Sequence, residues 1–110
     1  MDKTVDRAIK INADVSHQGI LIFTSCRGKA EAIIDYYSRN YGYIDLVKSK
    51  NNMWINLLDG RRVKWVDPTE HIRGYQCSEA YIDREIDENI LNTVVMPICI
   101  FCTRESIRMI

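Results

Sequence analysis

Gly28-Lys29 and Asp83-Arg84-Glu85 are the stretches of this chain whose residue types suit chemistry on a phosphate group. Binding a phosphate takes backbone N–H groups turned toward it and a Lys ammonium for its outer oxygens. Holding Mg²⁺ beside it takes a Ser or Thr hydroxyl and a carboxylate. Against the pattern G-x-x-x-x-G-K-[ST], residues Phe23 to Ala30 keep Gly28 and Lys29, but Phe23 stands at the first Gly and Ala30 at the metal-binding hydroxyl. Arg27 adds a second cation beside a predicted helix N-terminus, whose dipole favours anions. Arg27, Gly28 and Lys29 are therefore the candidate cofactor-binding residues. By itself, so short a match reads more readily as a Gly28 that permits a tight strand-to-helix turn, with Lys29 solvated on the first turn.

Asp83 and Glu85 follow a short apolar pair, Tyr81-Ile82, where a strand end would present carboxylates to Mg²⁺ and an attacking water. Asp83 is the candidate metal ligand if a nucleotide binds, and Asp83 and Glu85 are the candidate catalytic acids. Acids in that place also cap helices, with Asp83 as the cap and Glu85 in the first turn. Arg61, Arg62 and Lys64 form the densest positive cluster, at a predicted hairpin tip that can touch nucleic-acid phosphate or simply keep the protein soluble. Tyr36, Tyr37, Tyr41 and Tyr43, interleaved with Arg39, suit stacking on single-stranded bases or packing against a sheet. Cys99 and Cys102 have the spacing of half a zinc site, but no second pair and no nearby His accompanies them, so reduced buried thiols are expected. Cys26, His17 and His71 lie in no nucleophile motif.

These residues need elements to position them. Gly19 to Phe23 is a continuous β-favouring apolar run, as in a strand buried on both faces of a parallel sheet. After the polar turn Thr24 to Gly28 the period changes, and Ala32, Ile33, Tyr36 and Tyr37 recur at helical spacing until Asn40-Tyr41-Gly42. Tyr43 to Val47 reads as a short strand. Asp59-Gly60 then predicts a two-residue type I′ hairpin between Met53 to Leu58 and Arg61 to Val66, a register that sets Trp54 opposite Trp65. Ile86, Ile90 and Leu91 predict a short helix, and Ile98 to Cys102 a final strand. Residues 1–16 carry Val5, Ala8, Ile9 and Ile11 in a pattern compatible with a leading helix.

With 110 residues, 46% of them hydrophobic, the chain suits one domain, 1–110, with an N-terminal segment 1–18. Fifteen Lys and Arg balance fifteen Asp and Glu, so no overall field draws it to nucleic acid or anionic membrane. The N-terminus lacks the apolar core of a secretory signal, and no run approaches the roughly 20 residues of a membrane helix, which points to a cytoplasmic protein without a membrane partner.

Taken in order, the apolar strand, Gly28-Lys29 turn, helix, Asp59-Gly60 hairpin, Arg73-Gly74 and Tyr81 to Glu85 resemble the ATPase core of phage large terminases and related helicase-like motors over most of residues 19–103. The resemblance implies a three-layer, RecA-like (P-loop NTPase-like) α/β domain with a mainly parallel sheet and an antiparallel hairpin. It also implies roles for Lys29 at the phosphate, Asp83 at the metal and Thr103 near a coupling motif. Arg84 separates acids that are adjacent in the family, and the chain supplies neither the remaining strands nor a nuclease domain. The implied function is a small phage-type accessory binding module, in the host-cell cytoplasm, acting without hydrolysis on a protein or nucleic-acid partner. No cofactor is then expected. The alternative is a nucleotide-binding protein or weak NTPase that uses Gly28, Lys29 and Asp83 with ATP and Mg²⁺. A homo-oligomer joined through an exposed hairpin or sheet edge is a further expectation.

Overall fold

The computed structural model describes residues 19–68 and 75–110. The predicted N-terminal helix, His17, His71 and Arg73-Gly74 lie outside the described residues.

The order of elements is β1 (Ile20–Phe23), α1 (Arg27–Asn40), β2 (Tyr43–Lys48), β3 (Met53–Leu57), β4 (Arg62–Val66) and β5 (Glu79–Ile82), then a helical stretch over 88–101 and β6 (Ile107–Met109). They build an α/β fold on one six-stranded mixed sheet of order β2-β3-β4-β1-β5-β6. β1 pairs in parallel with β4 and β5, and β5 with β6, while β2, β3 and β4 form an antiparallel meander. All four residues of β1 are buried, as its unbroken apolar run requires of a central strand.

The pleat sorts the core into two clusters. Ile20 and Ile22 of β1, Met53, Ile55 and Leu57 of β3, and Val63 of β4 meet Ala30, Ile34 and Tyr37 of α1. Leu21, Phe23, Val66, Ala80 and Ile82 point the other way, toward Val95, Ile98 and Cys99. Helix α1 therefore packs on one face of the sheet and the stretch 88–101 on the other. The buried stripe of α1 is Ala30, Ile34 and Tyr37, with Ile33 beside it. Ala32 and Tyr36, expected on that stripe, are exposed.

Two predicted elements differ. The hairpin pairs Trp54 with Lys64, Ile55 with Val63 and Asn56 with Arg62, one residue out of the expected register. A type I′ turn needs positive φ at both Asp59 and Gly60, but among the described residues only Gly60 has it, at 96°. The loop is instead the three residues Leu58-Asp59-Gly60. The Gly60 amide donates to the Leu57 carbonyl and the Leu57 amide to the Arg61 carbonyl, closing a type I turn with a glycine bulge. A one-residue slip inverts the faces of a strand, so Trp54 and Trp65 lie on opposite sides of the sheet.

The predicted strand Ile98 to Cys102 is helical. Residues 88–101 run from an α turn (Glu88–Ile90) through a π turn (Leu91–Val95) and a second α turn (Met96–Ile98) into a 3₁₀ turn (Cys99–Phe101). Pro97 has no amide to donate, and in the preceding π turn the Met96 amide reaches back to the Leu91 carbonyl. Leu91, Val95, Ile98, Cys99 and Cys102 lie on the sheet side at helical spacing. A short apolar run does not by itself distinguish this from a strand.

The hairpin has no free edge, since β2 covers β3 and β1 covers β4. Among the described residues the sheet edges are β2 and β6. No helix among the described residues is long and apolar enough to cross a membrane.

Candidate functional site

The β1–β5 pairing, with Phe23 level with Ile82, sets the next residues, Thr24 and Asp83, side by side at the carboxyl ends of two adjacent parallel strands. The ladder continues past both ends: the Asp83 amide donates to the Phe23 carbonyl at 2.9 Å and the Thr24 amide to the Val66 carbonyl at 3.3 Å. The helix after β1 packs on one face of the sheet and the helical stretch after β5 on the other. In open α/β sheets the crevice at such a divergence is where ligands bind.

Asp83 is only 4% exposed and both of its oxygens are engaged. Oδ2 accepts from the Thr24 hydroxyl at 2.7 Å. Oδ1 accepts from Lys29 Nζ at 2.9 Å and from the Glu85 amide at 3.0 Å. Burial alone would push this carboxyl up. The Glu85 amide, the Lys29 ammonium and the Thr24 hydroxyl outweigh burial and hold it below the usual carboxylate range. Lys29 in turn is held above its ordinary value, chiefly by the hydrogen bond to Asp83. Glu85 lies 3.4 Å from Lys29 Nζ and is largely exposed.

Thr24 is fully buried and was not singled out among the predicted site residues. Its hydroxyl also accepts from the Cys26 amide, and its carbonyl accepts from Trp65 Nε1 at 2.7 Å. These bonds set the path of the three-residue turn Thr24-Ser25-Cys26 into α1. The signal for it was a β-branched hydroxyl residue ending a buried strand. Asp83 is not the helix cap of the alternative sequence reading, because Asp87 caps the following helical turn, accepting from the Asn89 and Ile90 amides.

The other predicted site residues lie as follows. Gly28 is the second residue of α1 and has no positive φ. A Cβ there would meet only Cys26 Sγ, at an ordinary 3.9 Å, so the turn does not require a glycine. Arg27 faces away from Asp83, toward Glu31 at 3.0 Å and the Ser49 carbonyl at 3.3 Å. Arg61, Arg62 and Lys64 are half-buried and do not form one exposed patch. Arg61 pairs with Asp59 at 2.9 Å and lies over the Tyr41 ring, whereas Arg62 and Lys64 both lie 5.1 Å from the centre of the Trp54 ring. Burial pushes the Lys64 ammonium down, and neighbouring Arg62 adds to this. Tyr37 is buried, stacks on Tyr41 and shares a hydrogen bond with the Tyr81 hydroxyl at 3.0 Å. Thr103 follows a helical turn rather than a strand, so it does not occupy the coupling position that the resemblance implied.

A cleft of about 390 Å³ opens at the end of β4, lined by Asn51, Asn52, Lys64, Trp65, Val66, Asp67 and Tyr75. Lys29 and Asp83 do not line it. The charged cluster is the stronger candidate site, because its groups converge and carry the perturbed titration. At the other end of β5 the fold brings Cys77 to Cys99 and Cys102, a third thiol that spacing alone did not connect with the pair. The hydrogen bond with Cys99, and then burial, push the Cys77 thiol up, while the same bond holds Cys99 down. Comparison with known proteins finds no matching family model, no similar curated protein and no similar solved structure.

Proposed function

We propose that this chain is a RecA-like α/β binding module that recognises a nucleotide through its phosphates at the carboxyl ends of β1 and β5, without appreciable hydrolysis of its own. One observation carries this reading. Lys29, on the first turn of α1, is held 2.9 Å from the buried carboxylate of Asp83, 54 residues away in sequence. A solvated first-turn lysine would have no such partner. The pair keeps an ammonium over the N-terminus of α1, where the helix dipole also favours an anion. A phosphate competes with Asp83 and Glu85 for Lys29, and Asp83 Oδ1, once released, is the oxygen available to Mg²⁺.

The same geometry argues against turnover. Ala30 is buried and offers no hydroxyl, and Phe23, at the position of the first loop glycine, is part of the core. The turn is three residues long, and its Cys26 amide is taken by Thr24. A site that grips the outer phosphates but neither wraps the chain of phosphates nor completes the metal shell binds without positioning a water. A cut-down relative of the phage motor core, retained as an accessory that engages a protein or nucleic-acid partner, fits this chemistry.

Calorimetric titration with ATP and ADP, with and without Mg²⁺, tests the proposal. Binding by the unmodified chain should fall by about tenfold or more in Lys29→Ala, since a charge-assisted hydrogen bond is worth about 1.5–3 kcal/mol. Without Mg²⁺, Asp83→Asn should bind ATP more tightly, because it frees Lys29 and removes a negative charge. Equal binding by Lys29→Ala would overturn the site. Turnover abolished by Lys29→Ala or Asp83→Asn would overturn the absence of hydrolysis.

A further inference from the structure

We propose that Cys77, Cys99 and Cys102 form a three-thiolate site for one zinc ion, with its fourth position open to water beside Cys102. Cys77 Sγ lies 3.5 Å from Cys102 Sγ and 4.0 Å from Cys99 Sγ, and all three sulfurs fall within 4.8 Å of one another. A tetrahedral zinc with bonds of about 2.3 Å needs sulfurs about 3.8 Å apart, which these distances bracket.

Independent elements hold the three thiols in place. Cys77 immediately precedes the lead-in to β5, where the Ser78 and Glu79 amides both donate to the Gly19 carbonyl. Cys99 opens the 3₁₀ turn, and the Cys102 amide donates to its carbonyl, so a three-residue repeat sets both thiols on one side. Cys77 and Cys99 are buried and Cys102 is partly exposed, which leaves one side of the triangle accessible to an entering ion and to a water ligand. Three of the four cysteines meet here, while Cys26 is exposed elsewhere.

Binding replaces three S–H bonds by three Zn–S bonds and passes the protons to the buffer. It also displaces the weak bond from the Cys102 thiol to the Cys77 carbonyl at 3.4 Å. The ion would tie the lead-in to β5, the strand that Asp83 follows, to the irregular end of the helical stretch. Because the unfolded chain holds no such preformed site, the ion's binding free energy would add to the stability of the fold.

The full chain, purified under reducing conditions and stripped with chelator, is titrated with Zn²⁺ and separately with Co²⁺. One equivalent of either metal per chain is expected, with sulfur-to-cobalt charge-transfer absorption and a higher thermal midpoint with zinc. Zinc should also protect three thiols, mapped by mass spectrometry as Cys77, Cys99 and Cys102, from alkylation while Cys26 stays reactive. Cys102→Ser should weaken binding by about tenfold or more, and Cys26→Ser should leave it unchanged. The alkylation map needs no variant, so it decides the matter even if Cys102→Ser unfolds. Substoichiometric zinc, affinity indifferent to Cys102→Ser, or a Cys77–Cys102 disulfide forming in zinc-supplied protein would overturn the proposal.

Discussion

Thr24 concentrates much of the candidate site in one buried hydroxyl, which donates to Asp83, accepts from the Cys26 amide and shares its backbone with Trp65. Thr24→Val keeps the shape and removes the hydroxyl, leaving a buried carboxylate oxygen and an amide without their partner. We expect a loss of about 1–3 kcal/mol in urea unfolding. A change below about 0.5 kcal/mol would show that water replaces the hydroxyl without loss. Asp83 also makes stability depend on pH. Its folded value lies below the ordinary carboxylate value of about 3.9, so its contribution is complete above that value and is lost as pH falls through the lower folded one. The stability difference between the unmodified chain and Asp83→Asn should therefore shrink as pH is lowered below about 4. A difference that stays constant down to pH ~2 would place the depressed titration elsewhere.

At the scale of elements, the hairpin shows how one backbone angle sets an entire face. Gly60, at φ 96°, lets the three-residue loop close, and that loop length puts Trp54 opposite Lys64. Gly60→Ala should lower stability by about 1–2 kcal/mol, the cost of a left-handed conformation for a residue with a Cβ, and Gly60→Asn by less. Equal denaturant midpoints for the three proteins would mean that the loop relaxes freely. The register also turns Arg62 and Lys64 from an expected open cluster into partners of the Trp54 ring. Arg62→Glu should therefore lower stability by about 1 kcal/mol through the lost cation–π contact. An unchanged thermal midpoint would restore the exposed-patch reading.

For the whole molecule, the sheet order decides what can meet. β1 lies between β4 and β5, so residues 24 and 83 become neighbours, and α1 brings Lys29 over them. The hairpin is enclosed on both sides, so among the described strands self-association through strand pairing falls to the outer edges of β2 and β6. If β2 is such an edge, Ile44→Lys, at a position 70% exposed, should abolish a dimer detected by solution mass measurement without lowering the thermal midpoint. A dimer that survives this change would place the contact elsewhere.

The elements dominated by one local signal were legible in the chain. The unbroken apolar run of β1, the change of period into α1 and the turn residues Asp59-Gly60 each identify an element without reference to the rest of the molecule. Lys29 and Asp83 were legible as residue types, since few side chains suit a phosphate or a metal. Their pairing was not. It depends on β1 and β5 lying side by side, so that Thr24 and Asp83, 59 residues apart, become neighbours, and sequence separation carries no record of which strands pair. The same holds for Cys77 beside Cys99 and Cys102. Tertiary structure also decided between strand and helix for Ile98 to Cys102, because the eight apolar residues from Val94 to Cys102, interrupted by Pro97, satisfy either period until a sheet face selects one. It decided the face of each tryptophan as well, because a pleat of period two turns a one-residue difference in loop length into opposite sides of the sheet.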